Sequence, residues 1–300
     1  MRVFRWAALL SLLLGIGLCG SVIAVGLALS APHRAAIGPQ PSTLADAEAV
    51  AIPASSGSLL QGWWMAGQPG TGAVILMHGI WESRLQMVRR AQVLHRRGFS
   101  VLLFDLQAHG ESTGTRITFG RLEGMDAASA VSFVRGRAPG ERVGVIGVSL
   151  GGAAALLGPG PLPVDALVLE SVFPTIDAAL TNRLHAALVP ILDPVLGGVV
   201  PLMLAPMFEV VLPPILGVAP ANLRPIDHIA DVTAPVLVAS GTADDRTPLV
   251  EAEALFARAP EPKRFWPVPG AAHEDLERFD SDAYWAVVMP FLVSNLGQRS

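Results

Sequence analysis

The stretch VGVIGVSLGGAAAL, residues 143–156, decides how the rest of the chain is read. Its first half is apolar and β-branched at Val143, Val145, Ile146 and Val148, the composition of a buried strand. From Gly151 to Ala155 the residues are small and suit the first turns of a helix packed close against that strand. Between them Gly147, Val148, Ser149, Leu150 and Gly151 spell G-x-S-x-G, with Ser149 on the corner. A serine on so sharp a turn needs glycine beside it, because a Cβ at either side would clash. The turn lifts the hydroxyl above the sheet, at the positive end of the following helix. With 30 glycines in the chain a bare match is weak, and a tight Gly-rich turn is the plain alternative. A strand before and a helix after are the context that separates the two readings, and both are present.

Outward from this stretch, buried strands alternate with helices. Strands are expected at 73–77, 101–104, 166–169, 236–239 and 264–268, and helices at 83–97, 124–134, 249–258 and 281–296. Upstream, 48–53 and 59–66 flank Ser55, Ser56 and Gly57 and read as an antiparallel hairpin. The rhythm predicts an α/β fold, an about eight-stranded, mostly parallel sheet flanked by helices, with ligands at the carboxyl ends of the strands.

One insertion breaks the rhythm after the sixth strand, at about 174–232. From Leu184 to Ala219 only Asp193 and Glu209 are charged, and prolines stand at 190, 194, 201, 206, 213 and 214. Prolines so spaced break any long helix. The expectation is an apolar helical lid of short pieces rather than a second membrane span.

The chain is apolar overall, 51% hydrophobic and 15% charged, and much of the excess lies at the N-terminus. From Trp6 to Ser30 there is no formal charge, and a helix of that stretch, at about 1.5 Å per residue, outruns a hydrocarbon core of roughly 30 Å. Residues 1–30 are therefore expected as a transmembrane anchor; a cleaved signal segment is the competing reading, with Ala28 and Ser30 as its small-x-small pattern. Arg2 and Arg5 hold the start of the chain in the cytoplasm on either reading. The domain then lies outside it, in a bacterial periplasm or at the cell exterior, and is secreted if the segment is cleaved. Residues 31–46, rich in turn formers, read as a linker, and 47–300 as the domain. The single cysteine, Cys19, excludes an internal disulfide. The net charge of −4 with no basic stripe makes nucleic acid a poor candidate partner, and none is expected. No pair of ligating residues has metal-site spacing, and no metal or cofactor is expected.

A reactive serine needs a base, and the base an orienting acid. Asp244 lies in SGTADDRTP after the strand at 236, and His273 in PGAAHED after the next one. Ser149, Asp244 and His273 thus follow three strand ends of one sheet. The segment after the strand at 73–77, His78-Gly79-Ile80-Trp81, supplies backbone donors: Ile80 and Leu150 N–H are the candidates for an oxyanion hole, with Gly79 allowing close approach. Trp81 is a candidate pocket residue, and His78 is read as a brace for its loop. Asp245 and Glu170 are rival acids. His109, His185 and His228 are read as loop or surface residues, and Asp275 as the start of the last helix.

The set HGIWES (78–83), DLQAHGES (105–112), GVSLGG (147–152), GTADDRTP (241–248) and GAAHED (270–275) resembles the α/β-hydrolase superfamily. Within it the chain is similar to monoacylglycerol lipases and serine-aminopeptidase-like esterases, over roughly 47–296. Its order of serine, acid and histidine is that of the family. The resemblance implies Ser149 as nucleophile, Asp244 as acid and His273 as base in a serine hydrolase of carboxylic esters. Together with the apolar lid it implies a small ester or lipid-like substrate, with the membrane met through the N-terminal helix and the lid. A peptidase or acyltransferase on the same fold, and a non-catalytic tethered binding protein, are the alternatives. Gln107-Ala108 stands where relatives often carry Arg-Gly.

Overall fold

Apolar runs such as AVILM and SVLLF are buried along their whole length, as strands covered on both faces must be. The computed structural model describes residues 2–188 and 217–297. In chain order its strands are β1 (His33–Arg34), β2 (Glu48–Pro53), β3 (Leu59–Met65), β4 (Ala73–Met77), β5 (Ser100–Phe104), β6 (His109–Gly110), β7 (Val143–Val148), β8 (Ala166–Glu170), β9 (Val236–Gly241) and β10 (Lys263–Val268). Eight of them form one sheet in the order β10-β9-β8-β7-β4-β5-β3-β2. The β2–β3 hairpin is antiparallel and β3 runs antiparallel to β5, while every other pairing in the sheet is parallel.

Alternation of side chains decides which face each residue serves. Ile75, Val145, Leu167 and Val238 pack into one core layer, and Val74, Leu76, Ile146, Val168 and Leu237 into the other. Register decides what meets at the carboxyl rim. Met77 pairs with Gly147 on one side and Phe104 on the other, and Glu170 pairs with Val148 and Ala239. The loops after β4, β7, β8 and β9 therefore leave the sheet side by side.

Helices cover both faces: α2 (Val88–Arg96), α3 (Arg121–Arg137), α4 (Leu150–Leu156), and the segments Leu249–Arg258 and Ser281–Leu296. The helix expected at 83–97 is split, with a 3-10 turn at Arg84–Met87 before α2. The cause is tertiary, since Asp105 accepts from both the Arg84 backbone and its guanidinium. At the insertion, Ile176–Leu188 is helical and short turns follow at Pro220–Asn222, Pro225–His228 and Ile229–Asp231. The middle of the expected lid, 189–216, lies outside the described residues.

Two expectations for the N-terminus change. Arg2–Leu29 is one 28-residue helix, α1, most of whose side chains fall outside the described residues. Among the described residues no helix is long and apolar enough to cross a membrane, so a transmembrane helix does not stand as a finding. Residues 31–46, expected as a linker, are tied to the domain. β1 pairs in parallel with β6, Ile37 and Gly38 N–H both donate to the Glu111 carboxylate, and Leu44 is buried. The reason lies in the donors of an extended backbone, which meet acceptors at 108–111 that the composition of the segment does not reveal.

Candidate active site

Ser149 sits between β7 and α4 with φ 48° and ψ −106°, a conformation that non-glycine residues rarely adopt. The flanking glycines allow it. A Cβ on Gly147 would lie 2.6 Å from the Gly152 nitrogen, and one on Gly151 would lie 2.5 Å from the Met77 oxygen. The Ser149 N–H donates to the Glu170 carbonyl at 2.8 Å, so the strained turn is pinned to β8. Among the described residues Trp81, Ala108, Phe119, Ser149 and Ser171 are the non-glycine residues with positive φ. All but Ala108 line the cavities described below, the clustering expected where strain serves a site.

The loops after β9 and β10 are clasped together. Ala243 N–H donates to the Ala271 carbonyl at 2.9 Å, and a Cβ on Gly241 would come within 2.1 Å of the same oxygen. That contact brings Asp244 to His273, whose Nδ1 lies 2.9 Å from Oδ2 and 3.1 Å from Oδ1. Asp244 is otherwise saturated: Oδ1 accepts from the Arg246 and Thr247 N–H groups, and Oδ2 from the Thr247 hydroxyl at 2.7 Å. Burial works against its charge, yet His273 and the Thr247 donors outweigh it and hold the carboxyl below the usual range. With Nδ1 donating to the carboxylate, Nε2 of His273 is the ring atom able to accept a proton. Asp245, the neighbouring rival, is exposed.

Ser149 and His273 line two adjoining cavities. The inner one is walled by Ile80, Trp81, Phe119, Leu150, Phe173 and Leu180, with Arg183 and Arg246 as its arginines. The outer one adds Gly79, Glu82, Gln86, Ser171, Glu274 and Arg278. Ile80 and Leu150, the expected backbone donors, thus flank the same space as Ser149. Gly79 plays a smaller part than expected. A Cβ there would meet nothing nearer than 3.8 Å, so close approach does not require the glycine; its N–H instead donates to Gln86 Oε1 at 2.8 Å.

The other candidates separate cleanly. His78 is buried and doubly engaged, with Nδ1 donating to the Gly79 carbonyl at 2.7 Å and Nε2 accepting from Leu106 N–H at 3.0 Å. Burial, with His109 nearby, lowers its pKa to about 3 and leaves it a neutral brace between two loops. His109, read as a loop or surface residue, is buried against it with ring centroids 5.1 Å apart, because β1 covers β6. Glu170 does not reach His273; its carboxylate accepts from Arg90 Nη2 at 2.7 Å and from the Tyr284 hydroxyl at 2.5 Å. Asp275 caps the short helix Leu276–Phe279 rather than the last one, whose cap is Asp280, and it ion-pairs with Arg90 at 2.8 Å.

Arg90 and Thr247 escaped the sequence reading. Thr247 lies inside a motif already singled out, and its spacing of three from Asp244 was the available signal. Arg90 shares a buried helix face with Ala91 and Leu94, where an arginine is out of place unless a carboxylate waits opposite. Among the described residues no group of three or more His, Cys, Asp or Glu could hold a metal ion.

Residues 68–206 match the family model described as "Serine aminopeptidase, S33". The chain is 31% identical over 270 residues to the uncharacterized protein Rv2307c of Mycobacterium tuberculosis, covering 87% of this chain and 86% of that protein. It is 30% identical over 257 residues to the alpha/beta hydrolase domain-containing protein WAV2 of Arabidopsis thaliana, covering 82% and 78%. Among solved structures, the Pyrococcus furiosus esterase Pf2001 superposes with a TM-score of 0.71 at 23% identity, over 90% of this chain and 99% of that one. Identity of that order along most of the sequence, on a sheet of that order, means that the chain belongs to the α/β-hydrolase family and is a hydrolase of that type.

Proposed function

We propose that this enzyme hydrolyses carboxylic esters through an acyl-enzyme on Ser149, with His273 as base, Asp244 as its orienting acid, and the N–H groups of Ile80 and Leu150 as the oxyanion hole. The observation that carries the reading is the Asp244–His273 pair bordering the cavity that holds a strained serine. His273 Nε2 takes the Ser149 proton as Oγ attacks the carbonyl carbon. The alkoxide so formed is stabilised by the two amide hydrogens, each worth on the order of 3 kcal/mol. Collapse breaks the ester C–O bond, and the alcohol leaves with the proton from His273. Water, deprotonated by the same ring, then attacks the acyl carbon, and the acid departs as Ser149 regains its proton. Asp244 holds the ring in the tautomer that leaves Nε2 free and stabilises the cation.

The apolar wall of the inner cavity supports an acyl group on the substrate, and the fold neighbour from Pyrococcus furiosus is described as an esterase. The matched family description favours a second reading, removal of residues from a peptide N-terminus. Such an enzyme must hold an ammonium group; Glu82 and Glu274 line the outer cavity, whereas Arg183 and Arg246 border both cavities and repel it. Fluorophosphonate labelling followed by turnover of 4-nitrophenyl esters of rising chain length and of aminoacyl-4-nitroanilides tests the choice. Labelling lost in Ser149→Ala, with esters preferred, supports the ester reading. Labelling that persists in that variant, or preference for the anilides, overturns it.

We also propose that residues 1–30 hold the domain at a membrane and outside the cytoplasm. The support is the uncharged stretch from Trp6 to Ser30 behind Arg2 and Arg5, and the exposure of Trp6, Leu13, Ile16 and Leu27 on α1. Sedimentation of the full chain with membranes after an alkaline wash, with protease access from outside, is the expected result. A soluble, protease-shielded chain contradicts it.

A further inference from the structure

We propose that Arg183 and Arg246 form a subsite for an anionic group, a carboxylate or a phosphate, carried by the substrate. The inference rests on the hydrolase reading above and narrows it to esters that bear a negative charge. Both arginines line both cavities, together with Ser149, His273 and Trp81, and so stand where the apolar chamber meets the polar vestibule. Neither has an acidic partner among the described residues: the ion pairs there engage other arginines, at positions 84, 89, 90, 137, 224 and 258. The Arg183 guanidinium carbon lies 5.0 Å from the Trp81 ring centroid, a cation–π contact that uses none of its N–H donors in an ion pair. Asn182 braces the arrangement, donating to the Arg246 carbonyl at 3.2 Å and to Glu251 Oε1 at 2.7 Å.

Arg183 is half-buried and Arg246 exposed, and holding the first beside the charge of the second costs free energy unless an anion joins them. Burial first, and then the charge of Arg246, lower the pKa of Arg183. The acids of the vestibule, Glu82, Glu274 and the Asp275 already paired with Arg90, line the outer cavity but not the inner one. An ester with its acyl carbon at Ser149 and an anionic group at the two guanidiniums would neutralise this excess. A neutral lipid ester would leave it in place.

Two matched pairs test the subsite: the mono-4-nitrophenyl ester of glutaric acid against 4-nitrophenyl pentanoate, and a monoacylglycerol 3-phosphate against the same monoacylglycerol. In the wild type the ratio of kcat/KM, charged over neutral, is expected at about tenfold or more in at least one pair, and that pair tells carboxylate from phosphate. Arg183→Gln and Arg246→Gln are each expected to lower that ratio about tenfold, mostly through KM, whatever happens to the absolute rate; Arg183→Lys restores part of it. A wild-type ratio of one or less in both pairs, or a ratio that neither variant moves, overturns the inference while the ester reading stands. If no ester is turned over, the ester reading fails by itself. Calorimetry of the glutarate ester on Ser149→Ala then decides the subsite: binding lost on adding Arg246→Gln keeps it, and no binding removes it.

Discussion

Two carboxylates stand at neighbouring strand ends, Glu170 on β8 and Asp244 just past β9, and their surroundings set them to different work. Glu170 is closed: Arg90 and Tyr284 take its oxygens, Arg90 is itself wholly buried, and its other arm reaches Asp275. Asp244 is anchored by Thr247 and the Arg246 N–H, but its last partner is His273, an imidazole bordering open space. A guanidinium keeps its proton at any pH the protein meets, so the Glu170 cluster holds the β8 end and the His273 loop in place. An imidazole can give and take a proton near neutrality, so the same kind of ion pair at Asp244 is suited to chemistry. Position along the strand does not assign the acid; the partner does.

The comparison breaks most sharply at Asp244. Asp244→Asn keeps the shape and removes the charge, and kcat on a 4-nitrophenyl ester is expected to fall about 10,000-fold while the melting temperature barely moves. Unchanged turnover would return the role to another carboxylate. Glu170→Gln should behave in the opposite sense, with chemical denaturation showing a loss of about 3 kcal/mol as the buried Arg90 loses one of its two carboxylate partners. The fraction that folds should retain its turnover to within a small factor.

His78 sharpens the contrast from the side of the histidines. Its pKa in the folded state is about 3 against 6.5 when unfolded. Below pH 6.5 the unfolded chain binds a proton there and the folded chain does not. Its contribution is therefore present above pH 6.5 and is lost as pH falls toward 3, by up to about 1.4 kcal/mol per unit. Denaturation across that window should show a shallower acid slope in His78→Asn than in the wild type; equal slopes would mean that His78 titrates normally. The smallest effect belongs to the exposed pair of Arg137 and Glu48, 38% and 54% exposed. Arg137→Gln is expected to change stability by about 0.5 kcal/mol or less, and a larger loss would show that burial is not what separates these ion pairs.

Much of the fold was legible because the informative patterns are local. The bounds expected for β4 and for the helices at 249–258 and 281–296 agree with the structure, and the glycines around Ser149 are needed for the reason their spacing suggested. What was not legible depends on contacts distant in sequence. Nothing in residues 31–46 announces that His33 pairs with His109, and that pairing helps to bury a histidine read as a loop or surface residue. Arg90 looks like one cation among several on a basic helix until Tyr284, 194 residues away, is brought against it.

By itself the sequence determined the alternation of strands and helices, the turn that carries Ser149, and the chain order of serine, acid and histidine. The first follows from hydrophobic periodicity and the second from steric rules, both acting over a few residues, and the third matters through the family resemblance. Only the tertiary structure decided which carboxylate His273 meets, which histidine is locked neutral, and that two arginines border the cavity with no ion-pair partner among the described residues. Those outcomes depend on burial and on charges carried by different strand-end loops, and neither exists until the sheet has brought the loops together.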